Sequence, residues 1–389
     1  MHERGPMRPL AHNVAELLRA GAKPRNAENA GTFARLATGM GSWENLIHGA
    51  VEHGILPMLY SRMIEIPEVI PSETLQLAKR EFERNAFHCM TNAEELLHVL
   101  CAFDEAQIAT VPFKGVVLAA SAYGDLTMRT AGDIDLLIHY RDLQRATEIL
   151  KQRGYELKTK TMQDGSPEAK DYFEFHFERE SDGMVLELRW KLELTQPRYG
   201  YDLGLDWVWD RRRSLKLAGA EVPNLDPVSS LLVLCMHGSK HGWSRWMWIC
   251  DVARLIESEP RLDWELAHRE ARRVGLERCL ALGVLLARRG ASAPLPPDVL
   301  AQFESEQDMS KLADFLAENI LENPGAMPEG RMPYHLRILG TRDRNRNLFS
   351  MSILQPNERD RATIKLPKSL ELLYYVIRPI RVLFDRTGR

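Results

Sequence analysis

Residues 113–140, FKGVVLAASAYGDLTMRTAGDIDLLIHY, end in DIDLLIHY, which places two carboxylates, Asp133 and Asp135, at alternate positions of what is otherwise typical of a buried strand. The apolar residues that recur there at a spacing of two predict one strand face: Ile134, Leu136 and Ile138. Asp133 and Asp135 then share the other face. Their Cα atoms would lie roughly 6 to 7 Å apart, because a strand rises about 3.3 Å per residue.

Two carboxylates this close repel each other unless a cation lies between them. A divalent metal with oxygen ligands is the usual cation, and paired metals about 3.5–4 Å apart serve phosphoryl and nucleotidyl chemistry. The alternative is an edge strand on which both aspartates face water. The spacing of the two acids by itself leaves both interpretations open.

The composition is typical of a soluble globular protein with more than one domain. The chain has 389 residues, of which 44% are hydrophobic and 27% charged, and its formal net charge is -3. This near-neutral balance gives no strong signature of nucleic-acid binding.

The five cysteines are scattered without a CxxC pair, which predicts reduced core thiols rather than a disulfide framework or a zinc site. The first 29 residues contain no apolar signal segment, and no window of 18 or more apolar residues occurs. These features predict a cytoplasmic protein without a membrane span. The basic stretch 366–389 could lie on an anionic membrane or bind a partner, but such a helix more often packs on its own protein.

Three regions follow from the periodicity of the apolar residues. Residues 1–108 show three-to-four spacing, including one stretch over 44–63, and predict helices, one of which begins near Ser72. Residues 109–225 alternate between strand and helix patterns, and residues 226–389 return to a helical pattern. We therefore expect an α+β fold whose middle domain is flanked by N-terminal and C-terminal helical regions.

Within the middle region, the patterns predict a short strand over 110–113, a helix over 115–124, a strand over 133–140, a helix over 141–154 and a strand over 155–160. Residues 171–180 and 184–194 then flank Ser181-Asp182-Gly183. This arrangement predicts a hairpin with its turn at Asp-Gly.

In the second strand of this hairpin, Glu187 and Arg189 fall on the face opposite to the apolar residues. If this strand lies beside the one that carries Asp133 and Asp135, Glu187 becomes a third carboxylate of the same site. Three converging acids are what a two-metal nucleotidyl transfer needs, since two can bridge the metals and the third can serve the attacking hydroxyl. The alternative is that Glu187 pairs with Arg189 or Lys191 on an exposed strand.

Residues 113–138 together with the strand VLELRW at 185–190 resemble the bacterial, largely uncharacterised nucleotidyltransferase family of the DNA polymerase β-like superfamily. That family has an lKG…lYp…R..gDiDlLv motif and a later E-l-H-W strand. Residues 237–256 and 354–383 are similar to its C-terminal helical signatures, so the resemblance covers most of the chain. It implies a polymerase β-like mixed-sheet core and a metal-dependent nucleotidyltransferase activity.

The resemblance implies that Asp133, Asp135 and Glu187 are the catalytic and metal-binding acids, with Mg²⁺ or Mn²⁺ as the cofactor. It places Gly115 where the superfamily's glycine lets the backbone approach the triphosphate, directly after Lys114. Lys114 and Gly115 are therefore the predicted nucleotide-binding residues of this turn.

Two departures from the family pattern concern the turn and the hairpin strand. The superfamily usually has Gly-Ser or Gly-Gly at this turn, with the serine holding a terminal phosphate, whereas here Lys114-Gly115 is followed by Val116. We predict that Lys114 replaces that hydroxyl and that Arg129 assists; the alternatives are a solvated lysine and an Arg129 paired with Asp125 or Asp133. Arg189 occupies the position of the family's histidine, which leaves the role of that position open.

The segment 237–251, HGSKHGWSRWMWICD, carries several polar residues beside three tryptophans. His237 and His241 are spaced i, i+4, but HGSKH lacks the glutamate of the metalloprotease motif and no third ligand is evident, which disfavours zinc. We predict that His241 and Asp251 contact the nucleotide or the acceptor, because a helix laid over the acids is a natural pocket wall. The alternative is that these polar groups satisfy one another at a domain junction.

The predicted reaction is in-line attack of an acceptor hydroxyl or phosphate on the α-phosphorus of an NTP, expected to be ATP, with release of pyrophosphate. Small molecules, peptides or proteins, and RNA are all compatible acceptors. Two alternatives remain: a non-catalytic nucleotide-binding or scaffold protein on the same fold, and a toxin-like tRNA nucleotidyltransferase.

Overall fold

The computed structural model describes residues 8–24, 26–158, 174–192, 206–326 and 334–339, together with Leu373, Tyr374 and Ile377. Helices predominate, and a mixed sheet of five strands lies in the middle of the sequence, which confirms the α+β class. The end of the strand predicted over 155–160 and most of the basic C-terminal stretch lie outside the described residues.

The helices before the sheet, α1 to α5, span His12–Ala22, Ala27–Ala37, Trp43–Glu52, Leu56–Met63 and Ser72–Glu105. In the sheet region, the helices α6 to α8 span Gly115–Leu118, Leu143–Gln152 and Asp206–Asp210, and α6 continues into a π-helical turn over Ala119–Tyr123. The strands β1 to β7 span Thr110–Pro112, Ile134–Ile138, Glu156–Leu157, Glu174–Arg179, Met184–Arg189, Arg213–Leu217 and Ala220–Asn224. The helices α9 to α15 span Pro227–Lys240, Trp246–Ser258, Trp264–Val274, Glu277–Ala291, Pro297–Glu304, Gln307–Asn319 and Tyr334–Arg337.

The five-stranded sheet has the order β1-β2-β5-β4-β3, in which β2 runs parallel to β5 and the other pairs are antiparallel. Asp135 of β2 lies opposite Glu187 of β5, and Glu187 lies opposite His176 of β4. Residues in register point to the same face of a sheet, so these three side chains share one face. The pairing of β4 with β5 confirms the hairpin predicted around Asp182-Gly183.

The opposite face of the sheet is apolar and packs against helices α5 and α7. One buried cluster joins side chains of the strands and of both helices, among them Leu136, Leu186, Phe177, Phe103 and Leu150. Burial of apolar surface stabilises the fold by roughly 25 cal/mol per Å². One face of the sheet therefore packs on α5 and α7, while the other carries the charged side chains together with apolar ones that join a second core.

The helices before and after the sheet share a second core. Its continuous cluster of buried side chains includes Leu17 of α1, Val233 of α9 and Leu285 of α12. The backbone N–H of Leu10 donates to the carbonyl of Leu321 at 3.0 Å. The helices at the start of the sequence therefore pack directly on helices that follow the sheet.

The helical stretch predicted over 44–63 is in fact two helices, α3 and α4, which separate at His53 and Gly54. Gly54 has a φ of +71°, a region that favours glycine, and an added Cβ would lie 2.9 Å from the sulfur of Met247. His53 is fully buried, and its Nδ1 accepts a hydrogen bond from the N–H of Trp246 at 3.4 Å. The break between the helices thus holds the N-terminus of α10.

The hairpin of β6 and β7 has no counterpart in the sequence prediction. Its turn lies at Ala218 and Gly219, which both have positive φ values, +48° and +89°. An alanine rarely adopts this conformation, and the sequence lacks the Asn-Gly or Asp-Gly pair that usually announces such a turn. A local pattern therefore could not have predicted this hairpin.

The cysteines follow the prediction with one exception. All five are free, and four are buried, whereas Cys101 is exposed on α5. Within the part of the chain that the structure describes, no helix combines the length and the apolar character needed to cross a membrane.

Gly238 of α9 offers a test of the second core. An added Cβ would lie 2.5 Å from the ring of Trp243, which is fully buried and has a φ of +53°. Gly238→Ala should therefore lower the free energy of unfolding by about 1–3 kcal/mol, the usual range for overpacking, in a chemical denaturation experiment. Gly31→Ala in α2 is the matched control, since its Cβ would meet no described atom within 4 Å, and it should stabilise by about 0.5–1 kcal/mol. A Gly238→Ala variant as stable as the wild type would contradict this packing.

His53 predicts a pH dependence of stability. Burial and then the charge of Arg245 lower the pKa of His53 from 6.5 to about 4. The unfolded chain binds this proton at a higher pH than the folded protein does, so stability falls as the pH drops from about 6.5 toward 4, by at most about 3 kcal/mol. His53→Asn keeps an acceptor near the position of Nδ1 but cannot titrate. Urea denaturation at about pH 7 and pH 4 should show a smaller loss for His53→Asn than for the wild type; equal losses would contradict the assignment.

Candidate active site

The turn between β1 and α6 lies against the strand that carries the two aspartates. Lys114 and Gly115 both have positive φ values, +58° and +45°, a region that glycine adopts easily and lysine rarely. A Cβ on Gly115 would lie 3.3 Å from the carbonyl oxygen of Asp133. The N–H of Phe113 donates to the carbonyl of Asp135 at 3.1 Å. The turn therefore lies against the backbone of both acids, and a hydrogen bond joins it to Asp135.

Asp135 is 3% exposed and lies between two cations. Lys114 Nζ is 2.9 Å from Oδ2, and Arg189 Nε is 3.4 Å from Oδ1. Among the described residues, neither Oδ1 nor that Nε has a hydrogen-bond partner, so the contact with Arg189 is an ion pair of poor hydrogen-bond geometry. The side chain of Lys114 is only 10% exposed, which contradicts the alternative of a solvated lysine.

Arg189 extends this arrangement to two further carboxylates. Its terminal nitrogens contact Glu187 of its own strand and Glu174 of β4. Glu187 lies beside Asp135, as predicted for a third carboxylate of the site, and it also pairs with Arg189, as in the alternative. It is buried, however, and not on an exposed strand. Lys114, Asp135, Glu187, Arg189 and Glu174 together are called the charge cluster below.

Burial raises the pKa of Asp135 to about 7; Lys114 and Arg189 oppose the rise, while Asp133 and Glu187 add to it. Burial acts in the same direction on Glu187, but Arg189 and Lys114 outweigh it and lower the pKa of Glu187 to about 2. The two carboxylates therefore differ in how readily they hold a proton. Acids whose pKa values are pushed apart in this way are typical of functional sites.

The donors of the charge cluster suit a divalent metal in type. Asp133 is half-buried and comes directly before β2. No three His, Cys, Asp or Glu side chains among the described residues are arranged closely enough to hold a metal ion. Carboxylate oxygens are nonetheless the ligands that Mg²⁺ prefers, and Oδ1 of Asp135 is a buried acceptor that receives no hydrogen bond from a described residue. In this structure Lys114 and Arg189 supply the positive charge that the acids require.

The C-terminal end of α9 adds an aromatic wall near the charge cluster. The rings of His237, His241 and Trp248 contact one another, with centroids 4.7 to 5.4 Å apart. Burial lowers the pKa of His241 to about 4, assisted by nearby cations that include Lys114 and Arg189. His241 is therefore neutral near pH 7 and lies within the electrostatic reach of the cluster.

The remaining two predicted contacts, Arg129 and Asp251, bind each other. Arg129 Nε is 2.8 Å from Asp251 Oδ1, and Nη2 is 2.9 Å from Oδ2. Tyr123 Oη donates to Asp251 Oδ1 at 2.7 Å, and Arg129 Nη1 donates to the carbonyl of Gly115 at 3.4 Å. Arg129 thus pairs with an aspartate 122 positions away in the sequence rather than with Asp125 or Asp133. It also links α10 to the Gly115 turn. A contact of either residue with the nucleotide stays a prediction.

Sequence reasoning missed Glu174 and Tyr123. Glu174 lies opposite Arg189 in the β4–β5 register, so the position of the hairpin turn could have located it. Tyr123 lies 128 positions from Asp251 in the sequence, and no local pattern indicates a contact over that separation.

The chain matches one protein family and is similar to several solved structures. Residues 40–291 match the family described as uncharacterised nucleotidyltransferase. Among solved structures, the lincomycin-bound lincosamide antibiotic adenylyltransferase LnuA is 18% identical, with 42% of this chain and 94% of that chain covered and a TM-score of 0.29. The antibiotic-resistance factor ANT(2'')-Ia is 13% identical, with 47% and 91% covered and a TM-score of 0.33. An antigenic nucleotidyltransferase-like protein from Paracoccidioides brasiliensis is 18% identical, with 49% and 92% covered and a TM-score of 0.31.

No curated protein shows significant similarity to this chain. The family match nevertheless spans more than half of the residues and includes the Lys114-Gly115 turn, both aspartates, the strand with Glu187 and all of α9 and α10. On this basis the chain belongs to the uncharacterised nucleotidyltransferase family, and the protein is a nucleotidyltransferase.

Proposed function

We propose that this enzyme transfers an NMP unit from an NTP, with ATP as the expected donor, to an acceptor and releases pyrophosphate. The observation that carries the proposal is the parallel register of β2 and β5, which pairs Asp135 with Glu187 beside Lys114. Family membership supports the same reaction class.

The proposed domain arrangement follows the same reasoning. Residues 109–225 form a catalytic domain of the polymerase β-like type, between an N-terminal helical region, 1–108, and a C-terminal helical region, 226–389. The helices that bound the sheet region in the structure support this division.

In the proposed site, Asp133, Asp135 and Glu187 would come closer together to hold Mg²⁺ or Mn²⁺, since they are not arranged closely enough for a metal ion in this structure. Such a metal supplies Lewis-acid stabilisation of the phosphoryl oxygens and favours ionisation of an attacking hydroxyl. The oxygen donors and the buried, unbonded Oδ1 of Asp135 support this assignment.

The other residues of the site position the substrates. Lys114 can turn from Asp135 toward the β- or γ-phosphate, where its ammonium exchanges the negative charge of the carboxylate for that of a phosphate oxygen. Gly115 lacks a side chain, so the triphosphate can approach the backbone, and Arg129 steadies that turn through the Gly115 carbonyl. His241 presents a neutral ring to the base or the acceptor, and Asp251 acts through its ion pair with Arg129.

A second candidate function is non-catalytic nucleotide binding or scaffolding. One observation favours it: Lys114 and Arg189 already neutralise Asp135, so the acids are stable without a metal. The same cations also fit an enzyme in its ligand-free state. Turnover therefore separates the two functions.

The deciding experiment is a label-transfer screen with the full chain, Mg²⁺ and each α-labelled NTP, run on the small-molecule, protein and RNA fractions of a lysate. Label should appear in one fraction, pyrophosphate should form, and both should disappear with EDTA. Nucleotide binding without transfer in any fraction would support the scaffold function. Label confined to tRNA, with growth arrest on expression, would identify a toxin-like enzyme.

The proposed acids can be tested by Asp133→Asn and Asp135→Asn. Each should lower transfer by more than tenfold, since loss of a ligand to a catalytic metal costs several kcal/mol of transition-state stabilisation, on the order of 1.4 kcal/mol per factor of ten. Asp298→Asn is the matched control, because Asp298 is exposed in the first turn of α13. Activity above about a tenth of wild type in either variant would remove the residue from the catalytic set.

The roles of Asp251 and His241 can be separated by stability. Asp251→Asn leaves the guanidinium of Arg129 buried without its anion and should cost about 3–5 kcal/mol of unfolding free energy. The double variant Arg129→Met with Asp251→Leu should recover part of that loss, since apolar residues often replace a buried ion pair without cost while Tyr123 still loses its acceptor. His241→Ala should instead reduce turnover with little change in melting temperature. A melting temperature that falls in proportion to activity would make His241 structural.

A further inference from the structure

Arg189 makes the charge cluster different from a simple set of acids. Its guanidinium contacts Asp135, Glu187 and Glu174, and its side chain is 12% exposed. An arginine does not lose its proton in a protein, so this charge is permanent. A cation that binds both Oδ1 of Asp135 and the carboxylate of Glu187 therefore has to displace the guanidinium from these contacts.

The contacts of Arg189 are unequal. Its terminal nitrogens contact Glu187 and Glu174, whereas Nε lies 3.4 Å from Oδ1 of Asp135 and makes no hydrogen bond to a described residue. Charged hydrogen bonds are strongest when short and well aligned. The contact with Asp135 is therefore the one that another cation exchanges most easily.

Glu174 is placed to keep the guanidinium after that exchange. It lies directly opposite Arg189 in the β4–β5 register, and its side chain is 33% exposed, compared with 2% for Asp135 and 10% for Glu187. A guanidinium that moves toward Glu174 therefore moves toward water and keeps a carboxylate partner. Such a movement avoids leaving a buried charge unpaired.

We propose that Arg189 is a positioning residue that fills the cation place between Asp135 and Glu187 in the ligand-free protein and withdraws to Glu174 when a divalent cation binds there. The inference rests on the metal site proposed above. Arg189 then keeps the buried acids neutralised between reaction cycles, and it weakens metal binding by direct competition.

The test uses Mn²⁺ alone as the probe, with free Mn²⁺ measured by electron paramagnetic resonance in titrations of the full chain. Arg189→Gln should bind Mn²⁺ about tenfold more tightly than the wild type, because a permanent competitor is gone. Arg213→Gln is the matched control, since it removes an arginine of β6 that is 60% exposed, and it should bind as the wild type does.

The role of Glu174 is tested in the opposite direction. Glu174→Gln should weaken Mn²⁺ binding, because the guanidinium then has no carboxylate to move to and stays on Asp135 and Glu187. Glu178→Gln controls for the loss of one negative charge, since Glu178 lies on the same face of β4 about 13 Å along the strand. In the double variant with Arg189→Gln, the effect of Glu174→Gln should shrink to that of Glu178→Gln.

Equal or weaker Mn²⁺ binding by Arg189→Gln would overturn the proposal, as would equal effects of Glu174→Gln and Glu178→Gln in the wild-type background. If neither the wild type nor any variant binds Mn²⁺, the metal site itself fails together with this inference. If the wild type transfers label and binds Mn²⁺ as tightly as Arg189→Gln does, only the inference fails.

Should circular dichroism show that Arg189→Gln is unfolded, Arg189→Lys replaces it. A single ammonium reaches fewer carboxylates than a guanidinium does, so the lysine competes less with the metal. Mn²⁺ binding by Arg189→Lys that is tighter than that of the wild type supports the proposal, and unchanged Mn²⁺ binding contradicts it.

Discussion

The parallel pairing of β2 with β5 is the constraint on which the rest of the site depends. It sets Asp135 beside Glu187 on a buried surface, where two negative charges interact far more strongly than in water. Such a pair is tolerable only with cations close by. Lys114 and Arg189 meet that need from opposite sides of Asp135, so the strand register determines which basic residues must be present.

The backbone conformation of Lys114 is strained, yet it keeps a cation next to Asp135. A non-glycine residue at positive φ costs of order 1–3 kcal/mol and persists only where its surroundings hold it. Here the ion pair with Asp135, the close approach of Gly115 to the Asp133 carbonyl and the hydrogen bond from Arg129 hold the turn in place. The turn is thus preorganised before any nucleotide arrives, which lowers the entropy cost of ordering the turn when the nucleotide binds.

The sequence predicted those features that depend on short-range patterns. Apolar residues at every second position located the strand of Asp135 and the hairpin strand of Glu187, because both strands turn one face to the apolar core under the sheet. The partner of Asp251 was not predictable, since Arg129 reaches it over 122 positions and only the packing of α10 brings them together. The β6–β7 hairpin was missed for a different reason: its turn uses an alanine where glycine or asparagine would give the signal.

The shared core of early and late helices bears on how the chain folds while it is being made. Leu10 hydrogen-bonds to Leu321, and α1 packs on α12 as well as on α2, α3 and α4, so the first helices lack their late partners until about 300 further residues have been added. At about 5–20 residues per second this wait lasts roughly 15–60 s. The sheet and α5 have their own core and can close earlier. During that interval the apolar surface that the first helices bury against the later ones stays exposed, which favours chaperone binding.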